Sequence, residues 1–225
     1  IGYRLVGSEM CIRDSKGSRP WGCIYKIDKK LDKSLTKIYN NLMESVRSNQ
    51  NQKILKNFFI IILGSLILTI SAKIKIPFYP VPMTMQTFVV LFLGIAFGYK
   101  IGLSIITVYL FEGILGLPVF SNSPEKGVGL VYFTGPTMGY LIGFLSAVFL
   151  TGYFNFGKNI IQNFFKILIS VSTIYILGLI WLGSLIGWDK PIFELGAKPF
   201  LLAELFKILI LTFLASKLVK FRKSI

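Results

Sequence analysis

From Ile54 to Lys217 the chain is close to one continuous apolar text, interrupted by short Pro/Gly loops and a few isolated charges. That feature leaves few folds open. In hydrocarbon every backbone N–H and C=O must find a partner within the protein, so only helices and closed barrels cross a bilayer. A barrel strand would alternate apolar and polar residues over about ten positions. The blocks here do not alternate, and they have the length of membrane-spanning helices. At 53% hydrophobic and 16% charged, the chain also departs from soluble domains, which are about 45–50% apolar and about 25% charged. The expected fold is all-α: a polytopic membrane protein with one membrane domain.

Six spans are expected, over 54–72, 83–98, 101–117, 136–156, 160–187 and 199–218. Pro77, Pro80 and Pro82 exclude regular helix from the loop at 73–82. Gly98-Tyr99-Lys100-Ile101-Gly102 reads as a tight turn, and Gly157-Lys158-Asn159 as another. The stretch from Pro118 to Gly135 is a longer irregular loop, and Trp188 to Lys198 a polar one. Pro136 and Pro199 occupy first-turn positions of the fourth and sixth spans, where a missing N–H costs nothing.

Six spans put both termini on one side. From Met43 onward that side collects nine Lys/Arg against five on the other (Lys73, Lys75, Lys126, Lys190 and Lys198). The excess marks the cytoplasmic side, so both termini are expected inside and the long Pro/Gly loops outside. The same distribution accounts for the net charge of +15 without nucleic acid. There is no His, and Cys11 and Cys23 both precede the membrane domain, which removes His-based metal sites and Cys–His nucleophiles.

Residues 1–42 read as a non-native or disordered leader. Gly7 to Asp14 resembles a translated sequencing adaptor, and Met43 is a plausible start. Without the leader the net charge falls from +15 to +10. Residues 43–53 then form a cytoplasmic N-terminal segment, 54–218 the six-helix membrane domain, and 219–225 a basic cytoplasmic tail.

The last apolar stretch holds Glu204 and Lys207. Charge in hydrocarbon costs roughly 3 kcal/mol even on lenient scales, so an intramembrane acid–base pair points to a functional site. The i,i+3 spacing puts both on one helix face, about 8 and 12 Å from Pro199. One reading is a self-neutralising structural pair. The other is a polar cradle, in which the carboxylate accepts N–H bonds and the ammonium donates. Glu112 is a second intramembrane acid that lines the cavity or pairs with Lys166 or Lys207. Lys166 lies close enough to the inner interface to snorkel. Gly135, Gly139 and Gly143 recur every fourth residue, which allows close helix contact.

These residues carry a family resemblance. Pro80-Val81-Pro82-Met83-Thr84-Met85-Gln86-Thr87, Tyr109…Gly113…Gly116-Leu117-Pro118-Val119-Phe120, Gly135-Pro136-Thr137…Gly139-Tyr140-Leu141…Gly143-Phe144, and Gly196…Pro199-Phe200…Glu204…Lys207 stand in order. The chain resembles the BioY family, the substrate-binding (S) subunits of energy-coupling-factor biotin transporters, over about 54–217. The resemblance implies biotin bound near the outer face beneath capping loops, in the cell membrane. It implies Glu204 and Lys207 at the ligand; Gln86, Phe120, Thr137, Tyr140 and Glu112 are expected to complete the site, and Pro82, Gly116, Pro118, Gly135, Pro136, Gly139 and Gly143 to serve in loops and packing. The chain departs from the family pattern in having Glu204 where Asp is usual, a polar run at 121–126, and a charged residue at Glu112.

The implied ligand is biotin, with no cofactor and no metal. No GxxxxGK[ST] run is present, so energy would come from ATPase subunits through a transmembrane coupling subunit. Gly64, Ser65, Ser71 and Ala72 are expected to form a face for that partner. The alternatives are an S subunit for another vitamin, or an intramembrane enzyme using Glu112 and Glu204.

Overall fold

The computed structural model describes residues 3–6, 9–12, 50–76, 81, 83–125 and 127–224. The chain divides into two compact units, Ile1–Lys56 and Asn57–Ile225. In the first unit, strands β1 (Tyr3–Val6) and β2 (Glu9–Ile12) pair antiparallel, Tyr3 opposite Ile12. The rest of the leader lies outside the described residues.

The second unit is mostly helical. Helix α1 covers Gln50–Lys73, starting four residues before the expected span. Strands β3 (Lys75–Ile76) and β4 (Met83–Thr84) then pair antiparallel. Helices follow as α2 (Gln86–Ile114), α3 (Met138–Tyr153), α4 (Ile160–Ile186), the short α5 (Ile192–Gly196) and α6 (Leu201–Ser224). Four of the described helices are long and apolar enough to cross a membrane, α5 and α6 counting as one with the turn between them, and α3 is a shorter apolar helix.

Gly98 breaks α2. Its φ of 81° and ψ of 172° are non-helical, a conformation essentially confined to glycine. The arms at 86–97 and 99–114 fold back on each other. A Cβ on Gly102 would sit 3.6 Å from the Gly94 Cα, although eight residues of straight helix span about 12 Å. The expected turn is therefore present. Arg222 Nη1 closes the same end by donating to the Gly152 carbonyl at 3.0 Å.

Several expected boundaries shift, each for a local reason. The second span begins at Gln86 rather than Met83, because Met83 and Thr84 are used in the β3–β4 ladder. The third ends at Ile114, where Gly116 takes a φ of 92° and its N–H reaches back to the Gly113 carbonyl; Pro118 then prevents resumption. The fourth starts at Met138, with Pro136 in the preceding turn; the Gly135 carbonyl before it accepts from both the Met138 amide at 3.4 Å and Trp181 Nε1 at 2.9 Å. Pro199 sits in a 3-10 turn, Lys198–Phe200, that leads into α6. The irregular loop at 118–135 contains a further 3-10 segment, Gly129–Thr134. Asn159 caps α4 by accepting from the Ile161 and Gln162 amides.

Small residues let the helices approach. A Cβ on Gly143 would lie 2.6 Å from the Ile174 Cα, so α3 and α4 touch almost backbone to backbone; Gly139 makes the same kind of approach beside Trp181 and Leu177. Gly64 gives way to Ile105 in the same manner, and Ser65, Ser71 and Ala72 are buried. These are the four residues for which a partner face is expected. They face inward, where their size lets α1 pack within the chain. The outer faces instead carry large apolar residues, such as Leu63 and Phe59 on α1 and Leu202 and Phe213 on α6, as a lipid-facing surface requires.

Gly143→Leu is expected to lower the unfolding midpoint in detergent, by an overpacking cost of about 1–3 kcal/mol. Gly157→Ala, where an added Cβ meets nothing within 4 Å, should leave it unchanged. Thermal denaturation of both variants checks this.

Candidate functional site

The first two turns of α6 carry Glu204 and Lys207, and the start of α2 carries Thr87 just beyond the end of β4 at Thr84. The four residues form one cluster. Lys207 Nζ donates to Glu204 Oε1 at 2.8 Å, to Thr87 Oγ1 at 3.0 Å and to the Thr84 carbonyl at 2.7 Å. Those bonds use all three ammonium hydrogens. Thr87 Oγ1 in turn donates to Glu204 Oε1 at 2.7 Å. Both charged residues are 4% exposed.

Glu204 Oε1 accepts two bonds, whereas Oε2 is buried without a hydrogen-bond partner among the described residues. The Tyr175 hydroxyl lies beside the same carboxylate. A buried carboxylate oxygen with spare lone pairs is costly unless a donor arrives. The ammonium is spent on holding the carboxylate. The carboxylate has capacity left.

Glu204 lines a cavity with about 560 Å³ of empty space, including its mouth. Met83, Thr84, Gln86 and Thr87 contribute from β4 and α2, Phe120, Ser121 and Tyr132 from the loop after α2. Thr137, Tyr140 and Phe144 come from α3 and the turn before it, Ile174 and Tyr175 from α4, and Phe200 from the entry to α6. Most of the wall is apolar and aromatic, with a few placed polar groups, as small-molecule sites are.

The wall is held by bonds that point away from the cavity. Tyr140 donates its hydroxyl to the Gly196 carbonyl at 2.8 Å, leaving the ring as wall, and Gly178 leaves room for that ring. Gln86 Nε2 donates to the Tyr109 hydroxyl at 2.6 Å, and Tyr109 donates to the Val119 carbonyl at 3.2 Å. Phe120 stacks on Tyr132 at 4.6 Å between ring centroids and meets Tyr109 edge-on at 5.3 Å. Gly113 makes space for the Phe120 ring.

Five expected ligand residues therefore come together: Glu204, Gln86, Phe120, Thr137 and Tyr140 line one cavity. Lys207 stands behind the carboxylate instead of on the wall. Glu112 is placed apart from the cavity, where its carboxylate accepts from Ser65 Oγ on α1 at 2.5 Å. Its expected partners are engaged elsewhere: Lys166 bonds the Asn155 carbonyl at 2.6 Å, and Lys207 is saturated as above. Pro82 lies outside the described residues. Thr84 and Thr87 were the readable residues passed over, two polar positions flanking Gln86 at the approach to an otherwise apolar helix. Tyr132 and Tyr175 carry no such signal, being aromatics within apolar sequence.

Comparison with known proteins decides the family. The family model described as BioY family matches residues 42–224. The chain belongs to the BioY family. Among BioY relatives, the biotin transporter BioY of Thermotoga maritima is 33% identical over 158 residues, which cover 68% of this chain and 90% of that protein. Biotin transporter BioY2 of Lactococcus lactis subsp. cremoris is 27% identical over 175 residues, covering 76% and 93%. A solved structure, the S-component for biotin from an ECF-type ABC transporter, shares the fold with a TM-score of 0.64. It is 24% identical and covers 76% of this BioY chain and 94% of that one.

Removing one buried charge strands the other, at about 3–5 kcal/mol. Lys207→Met alone is therefore expected to destabilise this BioY protein more than Glu204→Gln and Lys207→Met together. Unfolding midpoints of the two variants in detergent test the order.

Proposed function

We propose that this BioY-family chain captures biotin at the outer face of the cell membrane and takes part in its uptake. The observation that carries the reading is Glu204 Oε2, a buried acceptor without a partner on the wall of an otherwise apolar cavity. Biotin's ureido ring brings N–H donors that such an oxygen lacks, and its thiophane ring and valeryl chain suit walls of Phe120, Tyr132 and Tyr140. Lys207 and Thr87 hold the carboxylate aimed. The names of the relatives and the fold of the solved S-component support the same ligand.

The proposal extends to topology. Helix α1, the two arms of α2, then α3, α4 and α6 make six crossings, with both termini on the Lys/Arg-rich side, taken as cytoplasmic. With no P-loop in the sequence, the uptake step draws on ATPase subunits through a transmembrane coupling subunit.

Isothermal titration of the detergent-purified protein with biotin tests the site. The parent is expected to bind. Glu204→Ala should weaken binding by about 10- to 150-fold, the loss of a hydrogen bond to a charged group worth about 1.5–3 kcal/mol. Lys207→Ala should also weaken it, by releasing the carboxylate from its holder. Folded parent protein that ignores biotin would sink the ligand assignment.

A further inference from the structure

A second polar network lies away from Glu204, between the end of α1 and the loop after α2. Lys73 Nζ donates to the carbonyls of Phe120 at 2.9 Å and Ser123 at 2.8 Å. Lys75, on β3, donates to the Ser121 carbonyl at 2.7 Å and to Asn122 Oδ1 at 3.1 Å, and reaches Glu125 Oε2 at 3.5 Å. Two ammonium groups thus take up the backbone carbonyls of residues 120, 121 and 123.

Among the described residues the other polar contacts of this loop are few, and Ser121 Oγ lies 3.4 Å from the Tyr132 hydroxyl. Residues 121–125 form turns without a helix or strand. Their internal bonds are the Ser123 amide and hydroxyl to the Phe120 carbonyl, at 3.3 and 2.8 Å, and the Gly127 amide to the Pro124 carbonyl at 2.9 Å. Hydrogen bonds with a charged donor are about twice as strong as neutral ones. The lysines are therefore the strongest polar tethers on this segment.

Both ends of the network reach the cavity. Phe120 and Ser121 line it on one side. On the other, Lys75 pairs across the β3–β4 ladder with Thr84, which lines the same cavity and whose carbonyl takes a Lys207 hydrogen. We propose that Lys73 and Lys75 are positioning residues, a two-ammonium clamp that fixes the loop at 120–125 and with it the Phe120 wall. The clamp sets how long a bound ligand stays. It rests on the reading that this cavity holds the ligand. Part of the polar run read from the sequence as a departure from the family pattern then has a role: Asn122 and Glu125 supply side-chain acceptors to Lys75.

The test uses the full chain in detergent, with Lys73→Met, which keeps the apolar stem, Lys73→Arg, which keeps the charge, and Lys75→Gln. Amide hydrogen exchange of 119–125 without ligand is measured beside the rate of biotin release. Lys73→Met is expected to speed exchange at the Ser123 amide and biotin release by about tenfold each, the scale of one lost charge-assisted bond. Lys75→Gln should do the same more weakly, and Lys73→Arg should restore most of both. Unchanged exchange in Lys73→Met overturns the clamp. Faster exchange with unchanged release overturns its link to the ligand. If the parent takes no biotin, the ligand reading fails while exchange still decides the clamp. Should Lys73→Met not fold, the half-buried Lys75→Gln carries both measurements.

Discussion

The Glu204–Lys207 pair dictates how the rest of the membrane unit must be assembled. Two charges removed from water repay their desolvation only when their remaining hydrogen-bonding capacity is met. α6 supplies one bond, between the two side chains themselves. The other acceptors for Lys207 come from Thr84 and Thr87, more than a hundred residues earlier. The start of α2 must therefore abut the start of α6. That contact borders the cavity and leaves Glu204 Oε2 without a hydrogen-bond partner among the described residues.

Around this cluster the helices have little hydrophobic reason to choose one arrangement, because lipid tails are as apolar as their side chains. Close approach decides instead. Gly143 against Ile174, Gly64 against Ile105, and the Gly94–Gly102 contact across the Gly98 reversal bring backbones within range of dense packing. Serine, threonine and asparagine then satisfy themselves locally, as Asn163 does with both the amide and carbonyl of Gly157. The loops around the cavity are governed differently. They are ordered by side chains reaching into backbone carbonyls: Trp181 to Gly135, Tyr140 to Gly196, and the two lysines to the loop at 120–125.

Much of the helical order was legible in one dimension. Uniform apolar blocks and Pro/Gly punctuation place the long helices, the Gly98 turn and the glycine seam of α3, but not the short α5, which lies in a stretch read as a polar loop. The boundaries that moved did so because backbone groups found partners distant in sequence, as Met83 and Thr84 did with Lys75 and Ile76. The site was partly legible. An acid and a base in hydrocarbon stand out, and so does a Gln opening an apolar helix. Glu112 stands out equally and lies elsewhere, since a serine on α1 is enough to satisfy it. The small residues of α1, expected to form a partner face, take part in internal packing.

By itself, the sequence determined that this is a helical membrane protein with a buried acid–base pair, because hydropathy, helix breakers and isolated charges act locally and are written residue by residue. The tertiary structure decided which oxygen of that pair stays open and which lysines hold the wall beside it. Those outcomes depend on which distant carbonyls and hydroxyls reach each charge first, and no local pattern encodes that competition.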